Sequence, residues 1–545
     1  VKSLRQSTRR EALTVLLGAP LAAAACRRAP ILSYDGAIIG QDVRHAHALR
    51  EPLAPERWAS APEVRTRVLV IGAGPAGLSC AWRLRQSLSD PDAVTVIELE
   101  SSPGGTSRFS ESSVTAYPWG AHYVPTPGAH NREFVALLRE MNVLESIAPD
   151  GRPVVREEHL VRDLDERLWF RGQWREGLYP ADGASEDDLR QWRRFQSEVD
   201  AWVRRRDAQG RRPFVLPSTL ASDEPEARAL DRITIAQWLD ERGFRSERLR
   251  WMVDYACRDD YGLRAAQTSA WAGLFYFASR VQQEGASAEE LIAFPEGNGR
   301  FVRHFAEALR GRIDCGVMAH GVELGEDGAA VVRASRVESG ALVRYRCERV
   351  VVAVPRYVAQ RILAPALRAT GAAGEHEYSP WLVCNLHLDD RPARDASGLE
   401  MAWDNVLYDS PALGYVSATH QSMRDHGPNV LTWYLPLCGD DPNAERRKLL
   451  AMDWRACADA AASDVARAHP DLARVLRRVD VMRWGHAMPR PTVGFLSRRA
   501  PEAPVSTDPR VLFAHTDRSG IALFEEAFDR GIRAADAILA PAPPA

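Results

Sequence analysis

Residues 68 to 77 read Val-Leu-Val-Ile-Gly-Ala-Gly-Pro-Ala-Gly, and Val94-Thr-Val-Ile-Glu98 follows one strand–helix–strand unit later. Glycines at this spacing can hold a pyrophosphate. Gly72 allows a sharp turn out of the first strand. Gly74 lets the backbone come close to phosphate oxygens, Pro75 and Ala76 belong with it among the expected cofactor-binding residues, and Gly77 lets the helix that follows pack on the strand. Glu98 ends the second strand, where a carboxylate can bind both ribose hydroxyls. The set points to a dinucleotide seated on a helix N-terminus. The helix is predicted from Gly77 to about Leu88.

The chain continues Leu99-Glu-Ser-Ser-Pro-Gly104-Gly105-Thr106-Ser-Arg108. A glycine pair just after the acidic strand end resembles the second glycine signature of FAD-binding oxidoreductases. Thr106 stands where that signature usually has arginine, and Arg108 is near enough to substitute. Gly120-Ala121-His122-Tyr123 resembles the flavin-ring segment of flavin-containing amine oxidases. Phe294-Pro-Glu-Gly-Asn-Gly-Arg-Phe opens a predicted helix. Ile313 to Val317 is similar to the strand whose valine backbone holds adenine, and Val350 to Pro355 to the returning core strand. Val511 to Asp517, followed by Leu523-Phe524-Glu525-Glu-Ala527, resembles the family's last cofactor contact. There the resemblance implies Asp517 on the ribityl chain and a helix N-terminus at the flavin. The likeness to the flavin amine oxidase superfamily spans roughly residues 65 to 540. It implies noncovalent FAD and a small-molecule substrate.

In such enzymes the flavin accepts a hydride at N5, and the protein supplies orientation and electrostatics. The resemblance implies a lysine, bonded through water to N5, on the strand Pro380 to His387. Its place falls near Val383, and no lysine is close. Alternation puts Val383, Asn385 and His387 on one face, so Asn385 or His387 could hold the water. The missing lysine favours a dehydrogenase or desaturase that passes electrons to a separate acceptor over an oxygen-using oxidase. Trp484, in Arg483-Trp-Gly-His-Ala-Met-Pro489, resembles the family's aromatic near the flavin, in a segment expected to re-enter the cofactor domain. With His122 and Tyr123, Asn385 and Trp484 complete the candidate catalytic set. His486 reads as a local hydrogen-bonding residue. The pair Asp259-Asp260 could bind a cationic amine or simply cap a helix end.

Two further readings share this fold class: a desaturase or isomerase of an apolar polyene or porphyrin-like substrate, and a non-catalytic flavin-binding assembly factor. A pocket lined by carboxylates and aromatic rings favours amine oxidation; a wide apolar tunnel favours the polyene.

A chain of 545 residues exceeds one core. Apolar content of 45% and charged content of 26% are those of an ordinary globule, and a net charge of −3 argues against a nucleic-acid partner. Only Lys2 and Lys448 are lysine among 70 basic residues. The eight cysteines contain no Cys-x-x-Cys pair, so neither a metal site nor a disulfide framework is expected. Arg9-Arg10 before the apolar run Leu13 to Ala25 resembles a twin-arginine export signal, and Leu21 to Cys26 resembles a lipoprotein cleavage box. These imply an exported, periplasmic protein with membrane attachment through a lipidated Cys26.

Pattern then divides the chain. Residues 1–26 are the signal and 27–64 a linker or arm. Segments 65–130, 290–375 and 480–545 build an interrupted FAD/NAD(P)-binding Rossmann-like α/β domain. Segments 131–289 and 376–479 build an α+β substrate domain. Helices are predicted at 133–141, 187–206, 235–242, 269–282 and 444–469, and strands at 381–388 and 430–437.

Overall fold

The computed structural model describes residues 33–540, apart from 42, 52, 91, 282–289, 370–375 and 499–505. Arg9, Arg10 and Cys26 lie outside the described residues.

The nucleotide-side sheet contains β1 (Glu63–Ile71), β2 (Val94–Glu98), β3 (Ile313–Cys315), β4 (Val317–Leu324), β5 (Ala330–Arg336), β6 (Leu342–Val352) and β7 (Val511–Phe513). Its order is β3-β2-β1-β6-β5-β4, with β7 beside the far end of β6. β3, β2, β1, β6 and β7 run parallel, whereas β4, β5 and β6 form an antiparallel meander. The apolar run in β1 is continuous because both faces are covered. Val68 and Val70 pack with Leu78, Phe305 and Phe528, while Leu69 and Ile71 pack with Val332, Val350 and Phe513. This double burial is the rule for parallel sheets. The first helix, Pro75–Ser87, lies against the last, Phe524–Leu539, and the two touch at glycine: a Cβ on Gly531 would sit 2.0 Å from Ser79 Oγ.

A second sheet of eight strands runs in the order Ile38–Gly40, Leu476–Pro489, Tyr378–Leu388, Asn429–Pro436, Gly414–Ser417, Asp404–Leu407, Glu166–Phe170, Gln173–Glu176. Its strands alternate as predicted. Leu382, Cys384 and Leu386 face the helix Trp454–Ala468, whereas Trp381 and Val383 face Trp119, Met482 and Trp484. A helical lobe of Glu186–Arg204, Ile235–Glu241, Glu247–Tyr261 and Ala270–Arg280 closes over one side around Phe195, Phe244 and Phe275.

Three expectations change. The strand Leu476–Pro489 pairs with Tyr378–Leu388 along its length, so the boundary drawn at 480 falls inside a strand, and Arg483 to Pro489 stays in the second sheet. The helix expected from 444 to 469 is two helices, Pro442–Ala451 and Trp454–Ala468. Asp453 starts the second by accepting from the Ala456 N–H at 2.8 Å, an N-cap that ends the continuous pattern. The stretch called a linker is ordered where described: Ile38–Gly40 is an edge strand, Val43–Ala48 is helical, and Glu63 already belongs to β1.

Candidate functional site

The glycine cradle forms as its motif demands. Gly72 has φ +103°, a conformation that disfavours a side chain, and a Cβ on Gly77 would lie 1.9 Å from the Gly72 carbonyl oxygen. Gly74 differs from both. Its φ of −75° and ψ of 177° suit any residue, and a Cβ there would meet only Gly105 Cα, at 4.0 Å. Nothing in the protein requires glycine at 74. Gly74 and Gly105 pass close to each other, a Cβ on Gly105 falling 3.3 Å from Gly74 Cα, at the start of the Pro75–Ser87 helix beside Ala76, where a helix N-terminus can take a pyrophosphate. Gly104 is tied in by its N–H to the Ala73 carbonyl at 2.8 Å.

Glu98 is at the end of β2. Its carboxylate accepts from the N–H of Ala73 at 2.7 Å and of Glu100 at 3.0 Å. Burial pushes its acidity down, opposed by those two donors. Arg108 pairs with Glu100 at 3.2 Å rather than reaching the cradle. Thr106 acts through its backbone: its carbonyl accepts from the Ala121 N–H at 3.1 Å, and Gly120 passes so close that a Cβ would be 2.4 Å from that oxygen. The cradle loop and the Gly120-Ala121-His122-Tyr123 segment are thereby joined. Val317 opens β4, and Gly316 donates to the Glu100 carbonyl at 3.0 Å, which places Val317 beside the acidic end of β2.

Asp517 is fully buried. Oδ2 accepts from Tyr378 Oη at 2.5 Å and the Arg356 N–H at 2.7 Å, which ties the last segment to the second sheet. Oδ1 lies 3.2 Å from His515 Nδ1 and has no hydrogen-bond partner among the described residues, so one oxygen of the carboxylate remains for the contact the sequence implied. The nearby histidine and hydrogen bonds hold the Asp517 acid well below its ordinary range against desolvation. Phe524 is core: it stacks on Phe301 at 4.4 Å. Glu525 is 4% exposed, and its Oε1 has no hydrogen-bond partner among the described residues. Burial raises its pKa to about 8.

Along the flavin-ring segment the side chains form an aromatic box. His122 stacks on Tyr434 at 5.0 Å and tilts against Trp403 at 5.5 Å; Tyr123 meets Trp403 edge-on at 5.8 Å. Burial holds His122 neutral, with a pKa near 4. Behind the box lie carboxylates. Asp259, on the Glu247–Tyr261 helix, hydrogen-bonds with Tyr123; Asp404 lies 3.5 Å from Tyr255 Oη. Desolvation raises both acids, Asp404 to about 8, and each further raises the other or a neighbour by like charge. Both keep some accessible surface. Asp260 is paired with buried Arg280 at 2.6 Å. Asp259-Asp260 is thus not a solvated helix cap.

The remaining candidates are held in the fold as follows. Asn385 is buried: its amide donates to the Pro118 carbonyl at 3.1 Å and accepts from Thr432 Oγ1 at 2.7 Å. His387 lies 3.3 Å from Asp480 Oδ2. Val383 is packed between Tyr434 and Met482 as their paired neighbour. Trp484 donates to the Trp119 carbonyl at 2.6 Å and so supports the loop that carries Gly120. His486 stacks on Tyr357 at 4.4 Å. Sequence reasoning missed Asp404, Trp403, Tyr434 and Arg280. The one available signal was an acid next to a tryptophan at the start of a short strand, Trp403-Asp404-Asn405-Val406-Leu407.

Comparison with known proteins agrees with this geometry. A family model described as flavin containing amine oxidoreductase matches residues 75–539. No curated relative matches the chain in sequence. Among solved structures, wild-type putrescine oxidase bound to putrescine superposes with TM-score 0.64 at 18% identity, covering 88% of this chain and 100% of that one. Cyclohexylamine oxidase from Brevibacterium oxydans IH-35A gives 0.60 at 17%, covering 87% and 98%. A candidate protoporphyrinogen oxidase from Exiguobacterium sp. 255-15 gives 0.58 at 14%, covering 87% and 98%. At these identities the structures establish the fold, and the family model establishes the rest: with a glycine cradle shaped for a dinucleotide and an aromatic, acid-lined box beside it, the chain belongs to the flavin-containing amine oxidoreductases, enzymes that work with noncovalent FAD.

Proposed function

We propose that the protein oxidises an amine and passes the electrons to an acceptor other than oxygen. The carrying observation is the box itself: His122, Tyr123, Trp403 and Tyr434 stand over Asp259 and Asp404. Rings and carboxylates attract a cation. A polyene or porphyrin-like substrate would gain nothing from two desolvated acids, which disfavours that alternative.

The chemistry FAD supplies is acceptance of a hydride at N5. Gly74, Gly105 and the helix start at Pro75 would hold its pyrophosphate, Glu98 its ribose, and the Gly120–Tyr123 segment its ring. The chain's other contributions are orientation and exclusion of water. Neutral His122 offers no positive charge to repel an incoming ammonium. Tyr434 donates to the Gly120 carbonyl at 3.0 Å, fixing one wall of the box to the ring segment. The acceptor reading rests on Val383, where an apolar side chain fills the place of the expected lysine. Export through Arg9-Arg10 and anchoring at Cys26 belong to the same proposal. They suit a flavoenzyme that must fold before transport; among the described residues no helix is long and apolar enough to cross a membrane.

Anaerobic mixing of the holoenzyme with amine and polyene panels tests this reading. Loss of the flavin's visible absorbance with amines alone is expected. Bleaching by polyenes and not by amines would overturn it.

A further inference from the structure

We propose that the arm ahead of β1, pinned on the second sheet at Tyr34–Gly40 and continuing as the helix Val43–Ala48, is a strap across the cofactor site: FAD enters and leaves where this arm lifts, and the arm sets how long the cofactor stays. Such a strap needs the FAD site described above and is independent of the amine reading. The arm precedes the span that matches the family.

Its first end is fastened through the backbone. The Asp35 N–H donates to the Arg477 carbonyl at 3.1 Å, and the N–H groups of Val479 and Val481 donate to the carbonyls of Asp35 and Ala37 at 2.8 and 2.9 Å. Ile38 and Gly40 then run parallel to Val481 and Met482. Gly36, at φ +149°, passes so close that a Cβ would lie 1.9 Å from the Val479 carbonyl oxygen. Tyr34 is the buried anchor: it bonds Asp459 and meets Trp454 edge-on at 6.0 Å.

From there the arm crosses three parts of the cofactor site. A Cβ on Gly40 would lie 3.5 Å from Arg108 Nη1, at the end of the glycine-pair loop, and 2.8 Å from the Met482 sulfur. Met482 is the paired neighbour of Val383 and packs with Trp119 and Trp484, which support the ring segment. In the helix that follows, His47 is within electrostatic reach of Arg361 and of His486. His486 stacks on Tyr357 and meets Tyr378 edge-on at 5.6 Å, and Tyr378 holds Asp517. Leu49 lands on the core of the nucleotide-side sheet that holds Ala359 and Ile362. One segment thus joins the second sheet to the nucleotide side and passes the glycine-pair loop, the ring segment's support and the Asp517 end on its way.

It is also the part of that wall most easily lifted. The two sheets are tied by bonds such as Trp484 to Trp119 and Asn385 to Pro118, whereas from Gly36 to Arg50 no described residue is buried. Segments with little buried surface open locally at far less cost than the whole fold. A dinucleotide that does not leave by parting the sheets leaves under the strap.

The test follows FAD release from the holoenzyme by flavin fluorescence. A phosphodiesterase that splits free FAD into the brighter FMN makes release irreversible. Gly36→Val unseats the first end of the arm and Leu49→Asp the second. A third protein carries a specific protease site inserted after Arg50, in an exposed turn; it is cut as holoenzyme and keeps every contact residue, so it decides where a substitution prevents folding. Each should release FAD about tenfold or more faster. Rebinding of FAD to apoprotein should quicken as well, because a gate speeds passage both ways, and the dissociation constant should move less than the release rate. Release and rebinding that are unchanged in the cut protein overturn the strap. Faster release with slower rebinding overturns it too, and leaves the arm a stabilising role only.

Discussion

Replacing Gly74 by alanine should abolish FAD binding without harming the fold, and the structure says by how much. Gly74 has backbone angles open to alanine, and the new methyl would touch only Gly105 Cα at 4.0 Å. Narrowing the unfolded chain's freedom should then stabilise the apoprotein by about 0.4–1 kcal/mol. The cofactor fares differently. A phosphate oxygen sits at about 2.9 Å from the N–H groups it accepts from, whereas a methyl carbon keeps neighbours at about 3.5–4.0 Å. The pyrophosphate must retreat, and two charge-assisted hydrogen bonds at about 1.5–3 kcal/mol each are lost. That is a hundred- to ten-thousandfold in affinity, roughly. Gly77→Ala is the contrast. Its methyl would lie 1.9 Å from the Gly72 oxygen, so the helix must shift and the fold itself loses about 1–3 kcal/mol or more. Flavin titration of apoprotein and a melt followed by circular dichroism separate the two variants. A Gly74→Ala protein that binds FAD as tightly as wild type would show that the helix start beside Gly74 is not the phosphate site.

Glu98→Ala should weaken FAD binding about ten- to a hundredfold, since it removes the acceptor for two buried N–H groups as well as the ribose contact. Glu100→Ala breaks only a partly exposed pair with Arg108 at 3.2 Å and should cost a few-fold at most; equal losses in a flavin titration would refute the assignment. Photoreduced enzyme should reoxidise slowly in air, because Val383 fills the lysine position; a stopped-flow rate matching ordinary flavin oxidases would restore an oxygen-using enzyme. Asp404 is held protonated by burial and by Asp259, with a folded pKa of about 8 against 3.8 in the unfolded chain. Its share of stability is therefore present at low pH and is lost as pH rises between those values, so Asp404→Asn should flatten the wild-type decline; parallel melting curves across that range would argue against a buried, protonated acid.

The cradle was legible because its demands are local. Gly72, Gly77 and Glu98 answer to one turn, one crossing and one strand end, and short spacing records all three. Asp517 shows the limit. Its position was readable, but the partner that takes its carboxylate, Tyr378, stands 139 residues earlier. Asn385 is similar: alternation gave its face, but its bond to the carbonyl of Pro118, 267 residues away, was not readable. The acid box was hidden for a related reason. Asp259 is on a helix and Asp404 on a strand of different segments, and only the packed fold makes two ordinary acids into a desolvated pair. The continuous helix predicted through Asp453 fell to a single cap, a side-chain choice that periodicity does not weigh.

Four ties cross from the second sheet to the cofactor side: Tyr378 to Asp517, Asn385 to Pro118, Trp484 to Trp119 and Tyr434 to Gly120. Three of these are buried bonds from strands locked to each other along their lengths. A molecule riveted in this manner is a strongbox and not a clamshell. Opening it as a hinge would break every rivet at once, at about 1 kcal/mol or more apiece. A ligand that reaches the Gly120–Tyr123 segment must therefore do so without a hinge between the two sheets, by the turning of individual rings.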